Sequence, residues 1–152
     1  MDKDLVDRLL DHAIASTHRQ YFPFQGVVLF GSFLVKDDPD DVDIIPVLLT
    51  YDSSWDFKSP WEEEPVDDSA AYHEYLKIES FFANFFKNVP GYEVAVKTLR
   101  NRNGLLHIET LMALDDLKLV QRVMEEKETH YGNFRGTAYA QRVLETHFAK
   151  NQ

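Results

Sequence analysis

The chain has 152 residues, of which 44% are hydrophobic and 13% aromatic, and its formal net charge is −10. This length and composition are typical of one globular domain, so we expect a single domain over residues 1–152. The absence of cysteine excludes disulfides and cysteine-ligated zinc, and the acidic charge argues against an extended surface for non-specific binding of nucleic acid.

The first predicted element is a helix over residues 4–21, where apolar residues recur with helical spacing. Its acidic, amphipathic sequence is unlike a signal or transit peptide, and no apolar stretch of the chain approaches the length of a membrane span. We therefore expect a cytoplasmic protein without membrane contact. Two strands are predicted next, over residues 27–30 and 41–50, and the segment KDDPDD between them predicts a turn.

The rest of the chain begins with an irregular segment. Residues 51–69 contain two Trp, two Pro and a run of three Glu, which indicates a long, partly ordered loop or lid. After it we predict a helix, a hairpin of two strands around an Asn-Gly turn, and two further helices, over residues 70–88, 92–99, 105–112, 113–130 and 137–149. The predicted order is therefore helix, two strands, helix, two strands and two helices.

The strongest functional signal is the segment VVLFGSFLVKDDPDDVDIIPVLL. One apolar run ends at Gly31 and Ser32, and a second begins at Asp41 and Asp43. Because alternate residues of a strand point to one face, the two carboxylates are expected to project together. Two carboxylates beside a Gly-Ser turn predict a site for a hard divalent cation and for the phosphates that it bridges.

This motif resembles the signature of the nucleotidyltransferase superfamily, which includes DNA polymerase beta and the minimal nucleotidyltransferases. The shared pattern is an apolar strand, Gly-Ser, a loop, and Asp-x-Asp on the next strand; GSFLVKDDPDDVDII is closest to a branch with Gly-Ser-Phe. The resemblance covers residues 27–49. It implies an α+β, two-layer fold, in which a small mixed β-sheet has helices packed mainly on one face. It also implies transfer of a nucleoside monophosphate from an NTP, such as ATP, to a hydroxyl, with Mg2+ or Mn2+ as cofactor.

The resemblance assigns roles to residues of the motif. Asp41 and Asp43 would bind the metal ion and act in catalysis. Gly31 and Ser32 would lie against the triphosphate, since Gly lets the backbone approach and Ser donates a hydrogen bond. Lys36 is the nearest cation in the sequence.

The family's third carboxylate maps onto the segment LLHIETLM. His107 stands at the aligned position, and Glu109 lies two residues further on the same face of the predicted strand. We expect Glu109, with its longer side chain, to be the third metal ligand and catalytic residue. His107 and Glu93 remain the alternatives.

The resemblance leaves the acceptor open among a protein, an RNA and a small molecule. Small members of the superfamily often work in toxin–antitoxin or defence pairs, so a partner that supplies the acceptor is expected. The alternative function is a catalytically inactive nucleotidyltransferase-like module that acts through a protein partner. The uncertain third carboxylate, and the apolar residues Phe33 and Leu34 after the Gly-Ser turn, favour that alternative.

Overall fold

The structure, a computed structural model, describes residues 1–49, 70–91, 96–97, 104–126 and 132–150. The predicted loop over residues 51–69 and the candidate Glu93 lie outside this part of the chain. The elements in chain order are α1 (Lys3–Gln20), β1 (Phe24–Phe30), α2 (Ser32–Val35), β2 (Val42–Leu48), α3 (Ala70–Phe86), β3 (Val96–Lys97), β4 (Leu106–Ile108), β5 (Met112–Ala113), α4 (Leu117–Glu126), β6 (Asn133–Gly136) and α5 (Ala138–Lys150).

Aspartate side chains cap the N-termini of α1 and α4. Asp2 caps α1 by accepting a hydrogen bond from the backbone N–H of Leu5 at 3.1 Å. Asp116 caps α4 in the same way, with the N–H of Leu119 at 3.0 Å. α4 begins at Leu117 rather than at the predicted residue 113, because residues 112–113 belong to β5. Residues 127–130 of the predicted helix lie outside the described part of the chain.

The strands form one mixed sheet in the order β3-β4-β2-β1-β6, and β5 also pairs with β2. β1 pairs antiparallel with β2 and with β6, whereas β4 and β5 run parallel to β2. The predicted α+β class with a small mixed sheet is therefore confirmed.

Two predictions about the sheet are wrong. The strands predicted as an antiparallel hairpin pair in parallel as β3 and β4, with Val96 opposite Leu106. β6 lies in a segment that we predicted to be only a joint between two helices. It escaped prediction because its four residues include one buried apolar side chain, Phe134, and their pairing depends on Gly26 and Gly136, which let the two backbones approach closely.

Helices cover both faces of the sheet, so the prediction of helices mainly on one face is wrong. α1 and α3 pack against one face, and α4 and α5 pack against the other. The reason lies in β1, where every residue is buried: Val27 and Leu29 face α1 and α3, and Val28 and Phe30 face α4 and α5. None of the helices in the described ranges is both long and apolar enough to cross a membrane.

The predicted strand over residues 105–112 is interrupted between β4 and β5. Ile108 pairs with Ile44 and Met112 with Val47, so this side of the ladder has one residue more than β2. Pro46 lies at the same level of β2, and it has no N–H to donate to a neighbouring strand. Glu109 is the first residue of the interruption, and its N–H donates to the carbonyl of Ile44 at 2.9 Å.

Candidate metal centre

The two aspartates of the motif lie together on the sheet face that α4 and α5 cover. Val42 and Ile44 point toward α1 and α3, so Asp43 between them points to the opposite face. Asp41, two residues earlier, lies on the same side as Asp43. The alternation of the strand therefore predicted this juxtaposition correctly.

His107 lies between the two aspartates. In the parallel pairing of β2 and β4 it is directly opposite Asp43. Its Nδ1 is 3.1 Å from Asp43 Oδ1, and its Nε2 is 3.5 Å from Asp41 Oδ2. One ligand atom from each of these three residues, here called the Asp-His cluster, lies within 4.8 Å of the others. The three side chains are between 18% and 30% exposed, so the cluster is shielded but open to solvent.

Gly31 lies against the carboxylate of Asp43. Its backbone has φ 84° and ψ −158°, in the region that favours glycine. A Cβ atom at this position would lie 2.7 Å from Asp43 Oδ2. Glycine therefore allows the turn and also leaves the space beside Oδ2 unfilled.

Negative charge is concentrated around Asp43. Burial raises its pKa from the ordinary value of 3.8 to about 6, and the charges of Asp41 and Glu109 act in the same direction. His107 opposes the rise, whereas a hydrogen bond between the carboxyl groups of Glu109 and Asp43 adds to it. A cation bound here would relieve this repulsion.

The other predicted site residues differ in their placement. Ser32 follows Gly31 directly and is the first residue of α2. Lys36 is exposed at the end of α2, and its carbonyl accepts a hydrogen bond from Lys3 Nζ at 2.9 Å. Within the described part of the chain, no ion pair joins the Lys36 ammonium to the cluster.

An apolar cavity of about 530 Å3, which no sequence pattern predicted, lies beyond α2. Leu34 and Val35 of α2 line one side, and Met124, Phe134 and Phe148 line others. Its walls come from elements far apart in the chain and depend on β6, which explains why sequence patterns missed it.

No protein-family model matches the sequence, and comparisons with curated proteins and with solved structures found no significant match. The nucleotidyltransferase resemblance therefore stays a prediction that rests on the Gly-Ser and Asp-x-Asp motif.

Proposed function

We propose that this protein is a metal-dependent nucleotidyltransferase, which moves a nucleoside monophosphate from an NTP to a hydroxyl of an acceptor. The observation that carries the proposal is the contact of Gly31 with Asp43 at the adjoining ends of β1 and β2. At Gly31 the backbone has no side chain to keep a phosphate away, and it lies next to carboxylates that can bind a cation. These are the two requirements of metal-assisted phosphoryl chemistry.

The residues at the cluster fit a divalent cation. Asp41 and Asp43 present carboxylate oxygens, the ligands that Mg2+ and Mn2+ prefer. The space that a Cβ of residue 31 would fill is left open beside Asp43 Oδ2. Glu109, the predicted third ligand, lies close enough to Asp43 for its charge to raise the pKa of that carboxyl group, but among the described residues it is His107 that joins Asp41 and Asp43 with a ligand atom within 4.8 Å.

A bound Mg2+ or Mn2+ would neutralise charge on the phosphates and lower the pKa of the attacking hydroxyl. Asp41 and Asp43 would hold the ion. The backbone at Gly31 would admit a phosphate, and the Ser32 hydroxyl would donate a hydrogen bond to one of its oxygens.

The charge of the site indicates that NTP binding depends strongly on the metal ion. The protein carries a formal net charge of −10, and Lys36 makes no ion pair with the cluster in the described ranges. A triphosphate would therefore meet carboxylates rather than cations when the metal ion is removed. We expect EDTA to abolish NTP binding rather than to weaken it slightly.

One observation favours the alternative function, an inactive module that acts through a protein partner. The imidazole of His107 lies within 3.5 Å of both carboxylates, so a protonated His107 would neutralise part of their charge without a metal ion. In that case the cluster would be a structural ion-pair network.

Transfer of label from α-32P NTPs distinguishes the two functions. The protein is incubated with each NTP, Mg2+ or Mn2+, and protein, RNA or metabolite fractions of a cell lysate. We expect label in one fraction with pyrophosphate release, and loss of both in Asp41→Asn/Asp43→Asn. The exposed pair Asp37→Asn/Asp40→Asn serves as the matched control and should retain transfer. Absence of transfer to every fraction would favour the inactive module.

A further inference from the structure

We propose that His107 is itself a metal ligand, and that it makes this centre select a first-row transition ion such as Mn2+, Co2+ or Zn2+ over Mg2+. The inference rests on the proposed function to the extent that both require a metal ion at Asp41 and Asp43. It goes further by assigning a nitrogen ligand and by narrowing the class of ion.

The position of His107 in the sheet is the first argument. It lies opposite Asp43 in the register of β2 and β4, and its ring nitrogens contact both Asp41 and Asp43. Glu109, by comparison, lies at the interruption after β4. Within the described ranges, the Asp-His cluster is the group of three or more His, Asp or Glu side chains whose ligand atoms all lie within 4.8 Å of one another.

The distances are the second argument. His107 Nε2 and Asp41 Oδ2 are 3.5 Å apart. Two ligands that each lie about 2.1 Å from one zinc ion in tetrahedral geometry are separated by about 3.4 Å. The two atoms are therefore already spaced as ligands of one ion.

The second ring nitrogen gives the third argument. His107 Nδ1 is 3.1 Å from Asp43 Oδ1, a hydrogen-bonding distance, while the other oxygen of that carboxylate faces Gly31. A ligating histidine ordinarily donates its other N–H to a carboxylate, which fixes the ring and its tautomer. Nδ1 thus orients the ring and leaves Nε2 for the ion.

The chemistry of the donor set determines the selectivity. Mg2+ takes oxygen ligands and sheds its water reluctantly, whereas an imidazole nitrogen suits zinc, iron, cobalt and related ions. For a mixed nitrogen and oxygen site, affinity rises from Mn2+ to Co2+. We expect Co2+ and Zn2+ to bind most tightly, Mn2+ next, and Mg2+ least.

Calorimetric titration of Mg2+, Mn2+, Co2+ and Zn2+ into metal-free protein tests the inference. Wild type should bind Mn2+ at least about tenfold more tightly than Mg2+, and His107→Gln should lose about 10- to 100-fold for the transition ions but little for Mg2+. His107→Asp, an all-oxygen site, should shift the preference toward Mg2+. The exposed His12→Gln on α1 is the matched control and should behave as wild type.

Histidine NMR of the wild type gives a readout that does not depend on how the variants fold. Zn2+ should shift the ring signals of His107, and circular dichroism should show that each variant is folded. Equal Mn2+ and Co2+ affinity in wild type and His107→Gln, or unshifted ring signals, would overturn the inference while leaving a metal site at the aspartates. If the wild-type protein bound none of the four metal ions, both this inference and the proposed function would be contradicted.

Discussion

Replacing Asp43 by Asn should stabilise the metal-free protein, although it removes a residue of the proposed active site. The pKa of Asp43 is about 6 in the folded protein against 3.8 ordinarily, so its ionised form costs the fold up to about 3 kcal/mol at pH 7.5. Asn keeps the shape of the side chain, and its amide oxygen still accepts the hydrogen bond from His107 Nδ1. We expect Asp43→Asn to raise the free energy of unfolding by about 1 to 3 kcal/mol.

The sign of the pH dependence follows from the direction of the shift. Because the folded-state pKa is the higher one, the folded protein binds more protons between pH 3.8 and about 6, and wild-type stability falls as the pH rises through this window. The gain in free energy of unfolding of Asp43→Asn over wild type should therefore be small at pH 4 and reach its full value above pH 7. Urea unfolding in EDTA at pH 4, 5, 6 and 7.5 measures it.

Two controls accompany this experiment. Asp40→Asn, at an exposed position in the preceding loop, should show little of the effect. Mn2+ at about 1,000 times its Kd should reverse the order of stabilities, because it stabilises the folded wild type by about 4.1 kcal/mol, which exceeds the expected gain of Asp43→Asn. The explanation is wrong if Asp43→Asn is less stable than wild type in EDTA at pH 7.5, or if it changes the free energy of unfolding equally at every pH.

Three further predictions concern stability. Gly31→Ala should lower the free energy of unfolding by about 1–3 kcal/mol more than Gly91→Ala, as measured by chemical unfolding. Both glycines have a positive φ, but a Cβ at Gly31 would meet the Asp43 carboxylate, whereas one at Gly91 would meet open space. Tyr75→Phe should lower the free energy of unfolding in urea by about 1 kcal/mol, because the buried Tyr75 hydroxyl donates a hydrogen bond to the carbonyl of Ile108 in β4 at 3.0 Å. Arg135→Ala should lower the free energy of unfolding by about 0.5–1 kcal/mol in urea unfolding, and by less at high salt, because the ion pair of Arg135 with Asp7 is partly exposed to solvent.

Local patterns were sufficient for the elements with strong periodicity. α1 follows helical spacing, and β1 and β2 are apolar runs bounded by turn residues. The same alternation predicted that Asp43 of β2 and Asp41 just before it would project to one side. These features depend on neighbours in the sequence, which is why they could be predicted.

Long-range pairing explains what could not be predicted. β6 is stabilised by its ladder with β1 rather than by its own composition. The choice between His107 and Glu109 depends on the register of β4 against β2 and on the interruption opposite Pro46, neither of which has a local signal. Packing of helices on both faces likewise appears only once the buried strands of the sheet are placed.

Metal-dependent NTP binding at Asp41 and Asp43 can be measured by calorimetry. The four NTPs are titrated into wild type and Asp41→Ala/Asp43→Ala, each with Mn2+, Mg2+ and EDTA. We expect NTP binding to wild type that requires the metal ion and is lost in the double variant, while circular dichroism shows that the double variant is folded. NTP binding that persists in EDTA or in the double variant, or no binding to wild type with either ion, would contradict this expectation.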